Sequence, residues 1–336
     1  MKGRRVALVG GAGFIGHNLA LKLKSMGADV SVIDGLEVNN LLYFSGRGSE
    51  GANTRFYRRV LSERLRLLED ANVPLYVQDA RDYHALSKVL SQINPQVIVQ
   101  LAAVSHANRS NKDPYTTFDH SLRTLENALD YARGKAEHFV YFSSSMVYGN
   151  FKTESVTEDA VCEPLGIYGA LKYAGEKLVI AYQQTFDLPY TIIRPSALYG
   201  ERCVSRRVGQ VFIENALHHQ PVFVNGTGED RLDFTYIDDL VHGITRVIEH
   251  PKSRNEIFNV TYGSSRSIAD LAQALQKRFP EVKIEYKERE ALMPERGTLC
   301  VDKAKELIGY NPSNPLEVGY DKYIDWYQSF YTQKAT

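Results

Sequence analysis

Short runs of consecutive apolar residues recur through the first half of the chain: Val6-Ala7-Leu8-Val9, Val30-Ser31-Val32-Ile33, Leu75-Tyr76-Val77, Val97-Ile98-Val99, Phe139-Val140-Tyr141-Phe142 and Thr191-Ile192-Ile193. Runs rich in Val and Ile that are apolar on successive positions describe strands buried on both faces of a parallel sheet. Between them lie stretches with apolar residues at helical spacing: Asn18 to Met26, Tyr83 to Gln92, Tyr115 to Ala132 and Tyr168 to Phe186. Strand and helix in alternation predict an α/β fold, a doubly wound parallel sheet with right-handed crossovers.

Two places break the rhythm. Residues 38–72 are longer than a crossover needs and are expected to be an insertion: a Gly-, Ser- and Asn-rich loop from Ser45 to Thr54, then a charged helix from Arg55 to Glu69 packed on the outside. A lid over a binding site is the alternative. After Tyr199-Gly200 short strands (Val222 to Val224, Ile257 to Val260, Ile284 to Tyr286) mix with helices (Arg207 to His218, Ile268 to Lys277, Asp302 to Leu307). The expected organisation is a dinucleotide-binding domain over 1–200 and a smaller α/β substrate lobe over 201–336, with a segment near 233–262 returning to the first domain.

Composition narrows the class. Lys+Arg and Asp+Glu are 40 each, so net charge drives neither nucleic-acid nor membrane binding. The basic pairs Arg58-Arg59 and Arg206-Arg207 are expected on solvated faces. No apolar run reaches the ~18 residues of a membrane span, and the first apolar run is too short for a signal-peptide core. Cys162, Cys203 and Cys300 are few, scattered and without metal-ligand spacing, which fits a reducing, cytoplasmic setting.

The first strand runs into Gly10-Gly11-Ala12-Gly13-Phe14-Ile15-Gly16, and a helix pattern follows. Glycines here allow a tight strand-to-helix turn and a close backbone approach to a pyrophosphate, which the helix N-terminus attracts. The second strand ends in Asp34, a little over twenty residues after Gly10. An acid there accepts hydrogen bonds from ribose hydroxyls and repels a 2′-phosphate, so NAD is expected rather than NADP; a turn or capping role is the alternative. Asp79, after the third strand and before Ala80, either receives the adenine amino group or caps a helix.

Tyr168-Gly169-Ala170-Leu171-Lys172 sets a phenol and an ammonium on one helix face. A tyrosine of ordinary pKa near 10 is a poor base at neutral pH, and a nearby cation favours its phenolate. Such a phenolate takes a proton from a sugar hydroxyl as hydride leaves the same carbon. Phe142-Ser143-Ser144-Ser145-Met146-Val147-Tyr148-Gly149 ends the fifth strand, where ligands sit in a doubly wound sheet. A serine there can steady the reacting hydroxyl, or the three can merely terminate a strand.

These motifs together resemble the extended short-chain dehydrogenase/reductases, the nucleotide-sugar epimerases and dehydratases of Rossmann fold, and in particular UDP-glucose 4-epimerase-like enzymes. The resemblance rests on Gly10-x-x-Gly13-x-x-Gly16, Leu101-Ala102-Ala103, Ser-Ser-Ser-x-Val-Tyr-Gly, Tyr168-x-x-x-Lys172, Arg194-Pro195 with Leu198-Tyr199-Gly200, and Asp233-Phe234-Thr235-Tyr236. It implies Ser144, Tyr168 and Lys172 as catalytic residues. It implies NAD held by Gly10, Gly13, Phe14, Ile15, Gly16, Asp34, Asp79, Ala80, Leu101, Ala102, Ala103, Tyr168 and Lys172. It also implies a UDP-sugar bound with Ser145, Arg231 and Arg296, and a homodimer through the helices 115–132 and 168–186.

One departure is informative. The family's 4,6-dehydratases carry an Asp-Glu pair after the catalytic hydroxyl residue, and this chain has Ser145-Met146. Methionine is neither acid nor base, so the expected reaction is 4-epimerisation: C4 oxidation, rotation of the keto sugar, and hydride return to the other face. The rivals are a decarboxylase, with Arg206 or Arg207 facing a sugar carboxylate, a 4-keto reductase, and a non-catalytic dinucleotide-binding regulator. Leu299 is expected to shape the sugar pocket and to leave room for an enlarged sugar.

Overall fold

The computed structural model describes residues 1–45, 53–104, 107–289 and 293–332. Seven parallel strands form one sheet: β1 (Arg5–Val9), β2 (Asp29–Asp34), β3 (Leu75–Val77), β4 (Val97–Gln100), β5 (His138–Phe142), β6 (Tyr190–Arg194) and β7 (Glu256–Asn259). Their order is β7-β6-β5-β4-β1-β2-β3, with the reversal of direction between β1 and β4. Register follows the apolar runs, Leu8 opposite Val32 and Val99, and Val99 opposite Val140.

Alternate residues of each strand enter separate cores. Val6, Leu8, Val30, Val32, Val97, Val99 and Val140 face one side; Ala7, Val9, Ile33, Ile98, Phe139 and Ile192 face the other. This is why the runs are apolar on consecutive positions.

The helices needed below are α1 (Phe14–Ser25), α2 (Thr54–Asp70), α3 (Tyr83–Ile93), α4 (Thr124–Ala132), α5 (Gly166–Phe186), α6 (Val208–Leu217), α7 (Ile237–Glu249) and α8 (Leu316–Thr332). The helix expected over 115–132 is present, with a π-helical turn inside it. A short helix Pro114–Phe118 passes through a π-helical turn, Asp119–Arg123, before α4. At the end of this turn the Thr124 hydroxyl donates to the His120 carbonyl (2.8 Å) and lies 3.3 Å from Ala102 O.

The inserted helix α2 packs as expected, and its partners lie far along the chain. Phe56 stacks on Tyr327 of α8 with ring centroids 5.3 Å apart, and Tyr57 and Tyr327 both donate to the buried Glu214 carboxylate of α6. The loop expected over Ser45 to Thr54 lies mostly outside the described residues. α7 and α8 were not singled out from the sequence. Both bury one face and pack in the same core as the β1–β2 side of the sheet.

Candidate active site

The carboxyl ends of β1, β2 and β4 surround a cavity of about 150 Å³, lined by every residue of the expected dinucleotide set apart from Tyr168 and Lys172: Gly10, Gly13, Phe14, Ile15, Gly16, Asp34, Asp79, Ala80, Leu101, Ala102 and Ala103. The three glycines serve different ends. Gly10 has φ of +80°, and a Cβ on it would meet Ala102 N at 2.5 Å. Gly16 abuts the backbone of Gly11. A Cβ on Gly13 would meet only Gly10 O, at 3.3 Å, so its bareness serves the cavity rather than the packing. A pyrophosphate fits such a cradle at the N-terminus of α1.

Asp34 is tied at both oxygens, Oδ2 accepting from Ala12 N–H (2.9 Å) and Oδ1 from Leu36 N–H (2.7 Å). Each oxygen keeps a second lone pair for a ribose hydroxyl. Burial pushes its carboxyl pKa up, while these N–H groups and then the Arg64 charge oppose that shift. Arg64 comes from α2, thirty residues beyond Asp34, and lines the same cavity. It does not turn the site towards a 2′-phosphate: its side chain is 1% exposed and grips the carbonyl of Arg202. Asp79 is held by Arg81, whose Nε and Nη2 reach its oxygens at 2.9 and 2.6 Å. Burial opposes the Asp79 charge, but the Arg81 bonds outweigh it and hold the carboxyl below its usual pKa.

A second cavity, of about 460 Å³, opens against the first and shares Ile15, Leu101, Ala103, Leu198 and Arg207 with it. Ser144, Ser145, Tyr168 and Lys172 line it, at the ends of β5 and the first turns of α5. The three serines differ. Ser143 also lines the cavity, but its Oγ donates to the buried Glu176 at 2.5 Å. Ser144 Oγ accepts from Met146 N–H at 3.2 Å and lines the same cavity as the Tyr168 side chain. Ser145 is buried, its N–H donating to Pro195 O (2.9 Å).

Burial raises the Tyr168 pKa, opposed first by the charge of Arg207 and then by the hydrogen bond to Ser144. Lys172 was expected to supply that charge. Instead its Nζ donates to Phe142 O at 2.6 Å, and burial lowers its pKa to about 8 against the pull of Glu176. The phenol and the ammonium still share one helix face and one cavity.

Arg206 and Arg207, expected on a solvated face, line this second cavity beside Arg231 and Arg296. Arg231 is anchored by Ser265, through Nε to Oγ (3.0 Å) and Nη2 to O (2.7 Å). Arg296 Nε is buried and has no hydrogen-bond partner among the described residues; burial and the nearby Arg207 charge bring its pKa down to about 10, with Asp230 opposing. A buried N–H donor left over in a cationic cavity suits an anionic ligand. Leu299 does not shape this cavity: it is fully buried in a cluster with Val147, Tyr148 and Val156, and its N–H donates to Asp233 (3.1 Å). Its strand pairs with Ser155-Val156, which turns the side chain inward.

The profile of the NAD dependent epimerase/dehydratase family matches residues 6–261. The chain belongs to that family. Among its relatives is Protein CapI of Staphylococcus aureus, 26% identical over 97% of this chain and 99% of CapI. A Bacillus subtilis relative, an uncharacterized UDP-glucose epimerase named YtcB, is 30% identical over 70% of this chain and 75% of its own length. The crystal structure of a Bacillus cereus UDP-glucuronic acid 4-epimerase, in complex with UDP-glucuronic acid and NAD, superposes with a TM-score of 0.87 at 26% identity, covering 98% of this chain and all of that one.

In this family member several structural residues escaped sequence reading. Glu176 lies one turn beyond Lys172 and forms a buried pair with Arg194 (2.7 Å); extending the four-residue helical step from Tyr168 to Lys172 once more reaches it. His17, Arg64 and Arg202 carry no local signal, because only the tertiary fold brings them together.

Proposed function

We propose that the protein is an NAD-dependent nucleotide-sugar 4-epimerase acting on a UDP-sugar. The observation that carries this reading is that Ser144, Tyr168 and Lys172 line one cationic cavity that adjoins the dinucleotide cradle, with Met146 standing where an acid would serve dehydration. Bound NAD supplies a hydride acceptor that becomes the hydride donor. Tyr168 takes the proton of the C4 hydroxyl, with Ser144 fixing the orientation of both oxygens. The same phenol holds that proton while the keto sugar turns, then returns it when hydride arrives on the opposite face. Protons and electrons balance, with no net redox change. Lys172 would hold the nicotinamide ribose, while the Arg207 charge favours the phenolate of Tyr168. Arg231 and Arg296 bind the diphosphate.

Residues 1–200 supply most of the dinucleotide cradle, and the sugar cavity is built jointly by Ser144, Ser145 and Tyr168 from that part and by Arg206, Arg207, Arg231 and Arg296 from 201–336. Exposed Tyr115, Phe118, Leu178 and Phe186 on the helices flanking β5 support a homodimer. The three free cysteines fit a cytoplasmic setting, and no helix among the described residues is long and apolar enough to cross a membrane.

The test is incubation of the purified protein with UDP-, dTDP- and GDP-sugars, read by NMR. The expected product is the C4 epimer with no consumption of NAD. Carbon dioxide release would favour decarboxylation, which the Arg206–Arg207 pair could serve, and stoichiometric NADH use would favour a reductase.

Arg296→Met should raise the substrate KM by about ten- to a hundred-fold, the worth of a charged hydrogen bond. Because burial lowers the Arg296 pKa below the ordinary guanidinium value, the folded state resists its charge, so the variant should melt no lower than the wild type. Calorimetry beside steady-state kinetics checks both signs.

A further inference from the structure

The loop after Leu198-Tyr199 delivers Ser205 and Arg207 to the wall of the dinucleotide cavity, and Arg206 and Arg207 to the sugar cavity. It is an unfavourable loop. Gly200, Arg202 and Arg206 all have positive φ, at +138°, +63° and +52°. Non-glycine residues in the left-handed region persist only where their surroundings over-determine them.

Those surroundings are specific. Arg64, buried on α2, donates both Nε–H (2.9 Å) and Nη2–H to the carbonyl of Arg202. The Arg202 side chain reaches the other way, Nε–H to His17 Nε2 (2.9 Å) and Nη2–H to Asn18 Oδ1 (2.8 Å), both on α1. Because His17 Nε2 accepts, its Nδ1 carries the proton and donates to the carbonyl of Gly13 at 2.8 Å. Burial, followed by the charges of Arg64 and Arg202, keeps this imidazole neutral. Gln210 completes the loop, its Oε1 accepting from Arg206 N–H (2.9 Å).

We propose that Arg64, Arg202 and His17 form a clamp that locks the 200–207 loop onto the pyrophosphate-binding glycine loop, retaining the dinucleotide and placing Arg207 between the two cavities. The inserted segment 38–72 thereby acquires a role: α2 carries Arg64 under the loop. All three are positioning residues, since each acts through the backbone it holds. The inference rests on the first cavity being the NAD site; its main readout, NAD release, is taken without sugar and is independent of whether 4-epimerisation is the reaction.

Arg64→Met keeps the side-chain length and removes both donors, while Arg202→Gln loosens the opposite end. Each protein is loaded with radiolabelled NAD and chased with unlabelled NAD. Release should accelerate about ten-fold in each variant, and the double variant should be no faster than the faster single, because both act on one loop. The KM for the sugar nucleotide should rise alongside, with kcat changed less. Arg59→Met is the control on the same helix; its guanidinium donates to Phe330 O (3.1 Å) and lies over the Phe330 ring on α8, so release should stay at the wild-type rate. Should Arg64→Met lose its circular-dichroism fold, the half-buried Arg202→Gln decides the matter. Wild-type release from folded Arg202→Gln, or equal acceleration in Arg59→Met, would overturn the clamp.

Discussion

Replacing Tyr168 by phenylalanine should lower kcat by about a thousand-fold while leaving NAD bound, the range expected when one general acid–base group is lost. The argument is geometric. Tyr168 and Ser144 both line the sugar cavity, whereas the cradle for the dinucleotide is lined without Tyr168. The change removes one oxygen and no packing volume, so the melting temperature should move little. Turnover assays with a chromatographic measurement of retained NAD separate the two effects. Unchanged turnover would refute the assignment of Tyr168 as base. Loss of NAD together with turnover would show that the phenol serves binding instead.

The second large effect is on stability. Arg194→Met should destabilise the protein by about 3–5 kcal/mol, the cost of leaving one member of a buried ion pair without its partner. Arg194 and Glu176 are 3% and 1% exposed, and two bonds join them, Nε to Oε1 at 2.9 Å and Nη2 to Oε2 at 2.7 Å. Arg194 also donates to the Tyr148 hydroxyl (3.0 Å), and Glu176 accepts from Ser143. The pair therefore ties β6 to α5 and to the serine turn after β5, directly beneath Ser144 and Lys172. Urea denaturation followed by circular dichroism reads the loss. A change below about 1 kcal/mol, the scale of an exposed pair, would mean that the network relaxes or admits water.

Much of this was legible in the sequence because it is local. The consecutive apolar runs marked six of the seven sheet strands, and residues 257–260 overlap the seventh. The glycine turn, Asp34, the serine turn and the Tyr–Lys pair each sit at the end of a strand or on one helix face, so spacing alone brings them close. The misreadings share a different cause. Leu299, expected to shape the sugar pocket, is turned into a separate core by strand pairing with Ser155-Val156. Arg206-Arg207 looked like a surface pair because nothing nearby announces that the loop folds back over two cavities. The π-helical turn near Asp119 has no mark in the helical spacing; it ends at Thr124, whose hydroxyl contacts Ala102 O across 22 residues. The role of Arg64 needs three distant segments at once.

The edge strand β7 has a consequence for how the protein is made. It pairs in register with β6, Ile257 opposite Ile192, yet emerges more than sixty residues later in the chain. During synthesis, therefore, the nascent polypeptide emerges with β6 as an open, apolar sheet border until residue 259 has left the ribosome. Parallel pairing of such distant segments is slow and exposes sticky edges meanwhile. Recombinant fragments ending near residue 200 should consequently aggregate rather than yield an isolated nucleotide-binding unit, and expression should benefit from slow translation or added chaperones.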